Sequence, residues 1–303
     1  MDQKFIEYEI PNATIGYYGN ITKGIRNVKE IMPAYIKIPF SSALKNYFFF
    51  NRMIVREPVL SIVNPWYQNF YHFMFESMIK LYCLKHHIGR TKIAFPAARF
   101  KYHNEWLELV NAKDIIEIEN TRTCIKTPLA ISANFIIEDG EYKKEILLGF
   151  RDWVLDSLRG KGLLSEAGSF PDKIFITRRN PKYRKIVNSS VVLPFVESKG
   201  YTVIDLEEHS LAEQINYFYH AKDIIGVHGA GYSHILFTKA PVLDIIVKDF
   251  FQEYFLKLSR YMGIRYEFFR CTGVPNDFHM KTSGYHDIDI DIKVLDEYIS
   301  NRN

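Results

Sequence analysis

Cysteine is scarce in this chain, with Cys83, Cys124 and Cys271 the three copies among 303 residues. They lie far apart and show no paired spacing. That excludes a disulfide framework or a cysteine zinc site and suits a reducing compartment. No stretch is long and apolar enough to cross a bilayer, and the first twenty residues lack a basic segment followed by an apolar run. The expectation is a cytoplasmic protein, with association at the inner face of a membrane permitted. The triplets starting at Asn12, Asn20 and Asn188 would then meet no glycosylation system. Long runs of one charge are also missing, and a formal charge of +4 implies no nucleic-acid partner. There is no GxGxxG after a first strand, and no acidic residue about twenty positions beyond one. This weighs against a nicotinamide-dependent oxidoreductase.

What is present is 47% hydrophobic residues, with 23 Phe and 20 Tyr, in a length suited to two domains. Aromatics of this number chiefly build cores, and any left exposed suit sugar rings. Residues 1–60 read as strands and loops, with alternation around Tyr35 to Phe40 and an aromatic cluster at Tyr47 to Phe50. Asn64 and Pro65 mark a turn, and a helix follows as far as Leu81. On it His72 and Glu76 are four apart and share a face, with Asn69 a turn earlier. The pair reads either as a general base oriented by a carboxylate or as a surface ion pair.

From Lys92 to Ile137 short strands and helices alternate, which predicts βαβ units and a mostly parallel sheet. A helix over 141–158 leads to a linker at Arg159 to Pro171, rich in glycine. The domains expected are 1–158, 171–275, and a tail at 276–303 that packs back on the N-terminal half.

The second half opens with a strand at Lys173 to Thr177 and the basic stretch RRNPKYRK. Arginines at the carboxyl end of a parallel strand sit where α/β folds bind ligands, and Arg178 and Arg184 carry guanidinium forks that match phosphate oxygens. The strongest signal is DIIGVHGAGYSHILF, residues 223–237. A buried strand runs into Gly229, Ala230 and Gly231, and a helix is expected from Tyr232 to Phe237. Such a turn aims backbone N–H groups at an anion. His228 and His234 are candidate donors to it. Asp244, on the next strand, suits a ribose hydroxyl. The alternating Asp289 and Asp291 resemble a metal-binding DxD but read better as an edge strand, so no metal ligands are assigned.

Four blocks, NFYHFMFE, ITRRNPKYRKIVN, HSLAEQINYFYHAKDIIGVHGAGYSHILF and VLDIIV, in this order and spacing resemble glycosyltransferase family 61. That family includes bacterial capsular polysaccharide biosynthesis proteins and eukaryotic xylosyl- and N-acetylglucosaminyltransferases. The resemblance implies an α/β chain of the GT-B kind, two Rossmann-like domains facing a central cleft. It implies inverting, metal-independent transfer from a nucleotide-sugar cosubstrate, expected to be UDP-linked, to a glycan or glycolipid acceptor in capsule, exopolysaccharide or lipopolysaccharide synthesis. Carried over by position, Arg178, Arg184, Asn188 and the turn His228, Gly229, Ala230, Gly231 hold the donor, with Asp244 by the ribose. His72 and Glu76 are the catalytic candidates, taken from their own spacing. Two positions depart from the family pattern: Ser189 stands where Glu often follows the asparagine, and Asp244 where Glu is usual. The alternative is a non-catalytic nucleotide-sugar-binding component of a polysaccharide assembly complex.

Overall fold

A computed structural model describes residues 5–31, 51–134, 143–178, 183–250, 252–276 and 283–302. The aromatic stretches at 35–40 and 47–50, and residues 179–182 of the basic stretch, lie outside the described residues. The chain divides into two compact units, Met1–Lys161 and Gly162–Asn303. Each is built on its own β-sheet, and together they make a mixed α/β protein.

In the first unit the strands are β1 (Glu7–Gly16), β2 (Ile21–Lys23), β3 (Arg26–Asn27), β4 (Asn51–Ile54), β5 (Val59–Ser61), β6 (Lys92–Pro96), β7 (Ile115–Ile118) and β8 (Thr123–Ala133). Their order is β3-β2-β1-β8-β5-β6-β7, with β4 also paired to β8. Strands β4 to β8 are mutually parallel where they pair. The mostly parallel sheet expected from the sequence is extended by antiparallel β1, β2 and β3. Only residues 17–20 separate β1 from β2, too few for the crossover a parallel pair requires. From β5 the chain steps outward to β6 and β7, then β8 returns on the other side of β5. This reversal puts the loop after β5, residues 62–69, at a topological switch point, the usual ligand crevice of an open α/β sheet.

Helix α1 occupies residues 70–83 and is not a plain α-helix. Phe73–Met78 form a π-helical stretch within it, and all six residues are buried. Helix α2 is Lys101–Leu109 and α3 is Lys144–Gly160. The buried residues of α3, Leu147, Phe150, Val154, Leu155 and Leu158, fall at helical spacing. Gly149 on α3 lets α1 approach, because a Cβ there would stand 2.1 Å from the Tyr82 hydroxyl.

The second unit contains β9 (Lys173–Thr177), β10 (Thr202–Asp205), β11 (Asp223–Val227), β12 (Val242–Val247), β13 (Tyr266–Val274) and β14 (Asp287–Asp289), in the order β10-β9-β11-β12-β13-β14. All but the last pair are parallel. Every residue of β11 and β12 is buried, as expected of central strands in a sheet covered on both faces. The helices are α4 (Ser189–Ser198), α5 (Leu211–His220), α6 (Tyr254–Met262) and α7 (Ile292–Ser300). Helix α5 begins with the capping box read from Ser210 and Glu213. Here the reversal of strand order falls between β9 and β11.

The helix expected after the glycine turn is present as a 3-10 helix, Ala230–Phe237, which starts two residues before Tyr232. Tyr232 to Phe237 are all buried, so packing on every side, not an amphipathic stripe, sets its winding. The last segment belongs to the second unit. Ile288, Ile290, Leu295 and Ile299 complete the core around Phe175, Ile225 and Leu243 in the second unit. Their apolar side chains need a partner, and β13 and residue Ile186 present it.

Candidate functional site

Two constellations sit at the two switch points, one in each unit. In the second unit Arg178 directly follows β9, and His228 directly follows β11. Gly229 is extended, with φ −177°. A Cβ on it would lie 3.9 Å from Arg178 Nη1, an ordinary contact. The protein therefore does not require glycine at 229; its bareness leaves the backbone open beside a guanidinium. Gly231 is different, since a Cβ there would meet Leu206 Cδ1 at 2.6 Å.

Arg184 lies beneath this turn with a left-handed backbone, φ 63°. A non-glycine residue there costs roughly 1 kcal/mol or more and needs compensation. The side chain supplies it: Nε donates to Gly284 O at 2.8 Å and Nη1 to His228 O at 3.1 Å. Its guanidinium also packs on the rings of Tyr183, Phe250 and Tyr285. Arg178 lies against the same Tyr183 ring. Burial, and then the neighbouring charge of Arg178, push the Arg184 pKa down from its ordinary value. Two guanidinium groups on one aromatic ring are a strained pair of like charges that an anion would relieve.

His228 is 3% exposed, and its Nδ1–H donates to Asp244 Oδ2 at 2.6 Å. The Tyr266 hydroxyl donates to the same oxygen at 2.6 Å. Asp244 is wholly buried. The expectation of a ribose ligand at Asp244 is therefore corrected: its carboxylate lies under His228 and fixes that ring. With Nδ1 donating to the carboxylate, Nε2 is the nitrogen left to accept.

Asn188 is also corrected. Its amide donates to Ile290 O at 2.8 Å and accepts from Ile290 N at 3.3 Å. It ties the basic loop to the segment after β14 and does not point at a ligand. His234 is buried completely, paired with Gln214 at 2.9 Å, and burial lowers its pKa to about 3. It cannot donate to a phosphate. Sequence analysis does not single out Tyr183, Phe250, Gly284 and Tyr285, which touch the arginines, or Tyr266, which holds Asp244. They are scattered aromatics and a glycine with no fixed spacing, and Gly284 and Tyr285 arrive with the final segment, whose Ile288 pairs beside residues 185–187.

In the first unit, His72 Nδ1–H donates to Glu76 Oε1 at 2.7 Å, with the side chains 29% and 5% exposed. The π-helical stretch between them has more residues per turn than an α-helix, which keeps positions four apart close to one line. Lys80, four residues further, is buried, and desolvation lowers its pKa to about 8 against the opposing field of Glu76. Asn69 does not join this stripe; its side chain caps the helix by accepting from Tyr71 N. The unforeseen organiser is Asn64. Its Oδ1 accepts from Trp66 N at 2.7 Å, while Nδ2 donates to His72 O and Ser77 Oγ. Trp66, 55% exposed, is thereby held with its ring 6.2 Å from that of His72.

No helix of the described residues is long and apolar enough to cross a membrane. The family model described as Glycosyltransferase 61 matches residues 27–243, which include His72, Glu76, Arg178, Arg184 and His228 and stop one residue before Asp244. A search of curated proteins finds no match.

Proposed function

The chain belongs to glycosyltransferase family 61, and we propose that it is an inverting enzyme transferring a sugar from a nucleotide-sugar donor to a glycan or glycolipid acceptor. In this reading the two units are the two Rossmann-like domains of a GT-B fold, with the donor in the second. The observation that carries it is the cluster of Arg178, Arg184 and His228 beside the bare backbone of Gly229, at the carboxyl ends of β9 and β11. It suits a diphosphate, which two guanidinium groups and backbone N–H groups would neutralise as it departs.

Single displacement also needs a base for the acceptor hydroxyl. His72, held in one tautomer by Glu76, leaves Nε2 as acceptor, and the exposed Trp66 beside it offers a flat face to a sugar ring. The leaving group would be stabilised by side chains without a metal, the donor is taken as UDP-linked, and the setting is cytoplasmic synthesis of capsule, exopolysaccharide or lipopolysaccharide. Calorimetric titration with UDP, CMP, GDP and their sugar conjugates, with and without manganese, tests the reading. Metal-independent binding of one nucleotide, lost in Arg178→Ala, supports it. Failure of every nucleotide to bind would overturn it.

A further inference from the structure

Outside both constellations, three metal-ligating side chains converge in the first unit. His86 and His87 are neighbours in a short 3-10 turn, Lys85–His87, that follows α1. Side chains of adjacent residues usually diverge. Here the two rings lie 4.1 Å apart and both reach one carboxylate, that of Glu7 on β1. His87 Nε2 is 2.8 Å from Oε1 and His86 Nε2 is 3.3 Å from Oε2. One ligand atom from each of the three residues can be chosen so that all lie within 4.8 Å of one another.

We propose that Glu7, His86 and His87 form a binding site for a borderline divalent transition metal, Zn(II) or Cu(II). Donor atoms around a tetrahedral zinc with bonds of about 2.0–2.1 Å stand roughly 3.3 Å apart. The two nitrogen-to-oxygen distances run to the two oxygens of one carboxylate, and rotation of the rings and of that carboxylate would close one donor from each residue, now within 4.8 Å of one another, around the ion. The donor set, two imidazoles and one carboxylate, suits Zn(II) or Cu(II) and not the hard ions Mg(II) or Ca(II). The neighbouring ammonium of Lys85 does not block it, being turned over the Tyr82 ring at 4.4 Å. His86 is the exposed ligand, its side chain 55% accessible, and gives the ion its entry path. Structurally the ion would clamp the first strand to the end of the helix that carries His72 and Glu76.

The test uses the full chain without a histidine tag, titrated calorimetrically with ZnCl2 and with MgCl2 as control, and examined by electron paramagnetic resonance after one equivalent of CuCl2. The expected result is one Zn(II) per chain, no comparable Mg(II) binding, and a copper signal with two nitrogen ligands. His86→Ala, on the surface, should fold normally, lower Zn(II) affinity roughly tenfold or more, and reduce the copper signal to one nitrogen. Glu7→Gln should weaken Zn(II) similarly. Absence of Zn(II) binding in the wild type, or binding unchanged in both variants, would overturn the proposal. None of these readouts depends on transferase activity.

Discussion

One oxygen of Asp244 accepts from both His228 Nδ1 and the Tyr266 hydroxyl, each at 2.6 Å, in a position with no solvent access. A carboxylate so placed sets the tautomer of His228 and holds the ring beside the arginines. Asp244→Asn should lower turnover at least tenfold while changing nucleotide affinity far less, because the ring loses its orientation but both guanidinium groups remain. Tyr266→Phe removes one hydrogen bond, and about 0.5–1.5 kcal/mol of stability is the expected cost. Steady-state kinetics beside urea denaturation separates the two.

The two arginines should behave differently. Arg178 is part-buried and makes one long hydrogen bond, Nη1 to Tyr183 O at 3.4 Å, so Arg178→Ala should reduce nucleotide affinity by about 1.5–3 kcal/mol with little change in melting temperature. Arg184 also holds Gly284 O and His228 O. Arg184→Ala should therefore lose affinity and melting temperature together. Equal effects on melting temperature in both variants would show that Arg178 is structural as well.

For the proposed base, His72→Ala should reduce turnover about a hundredfold or more, leaving donor affinity unchanged. Glu76→Gln should give a smaller loss and a shifted pH–rate profile. Near-normal turnover in His72→Ala would move the base elsewhere.

Lys80 gives a pH prediction with a definite sign. Its pKa is pushed down to about 8 in the folded protein from 10.5, so between these values the unfolded chain binds more protons. Folding stability from this group should therefore rise between pH 8 and pH 10.5, by at most about 3 kcal/mol. Below pH 8 the buried charge exerts its full penalty. The difference in urea stability between wild type and Lys80→Met, followed across that window, isolates the effect from other titrating groups. A difference that stays flat would contradict it.

The side chain of Arg302, near the end of the chain, is 1% exposed and joins Asp223 on β11 to Glu267 on β13. Arg302→Ala leaves buried Asp223 with the Tyr201 hydroxyl but without its charge partner, and should destabilise the second unit by about 3 kcal/mol. Urea denaturation followed by circular dichroism would show it.

The sequence by itself determined the alternation of strands and helices, the capping box at Ser210 and Glu213, the strand-to-glycine turn at 223–231 and the basic stretch after β9. These are local: each rests on short-range spacing, turn chemistry or continuous apolar runs. It also put Arg178, Arg184 and His228 in one hypothesis, since ends of parallel strands are where such residues gather. The tertiary structure decided what each side chain faces. Asp244 and Asn188 look like ligands from position alone, but pairing with His228 and Ile290 turns them inward. His234 stands six residues after His228 and is also buried, but it pairs with Gln214, whereas His228 pairs with Asp244. Tyr285 and Gly284 lie a hundred residues from Arg184 and reach it only because apolar Ile288 and Ile290 draw the final segment into the second core. Long-range packing of this kind leaves no periodic trace in the chain, because it is set by which buried surfaces must meet.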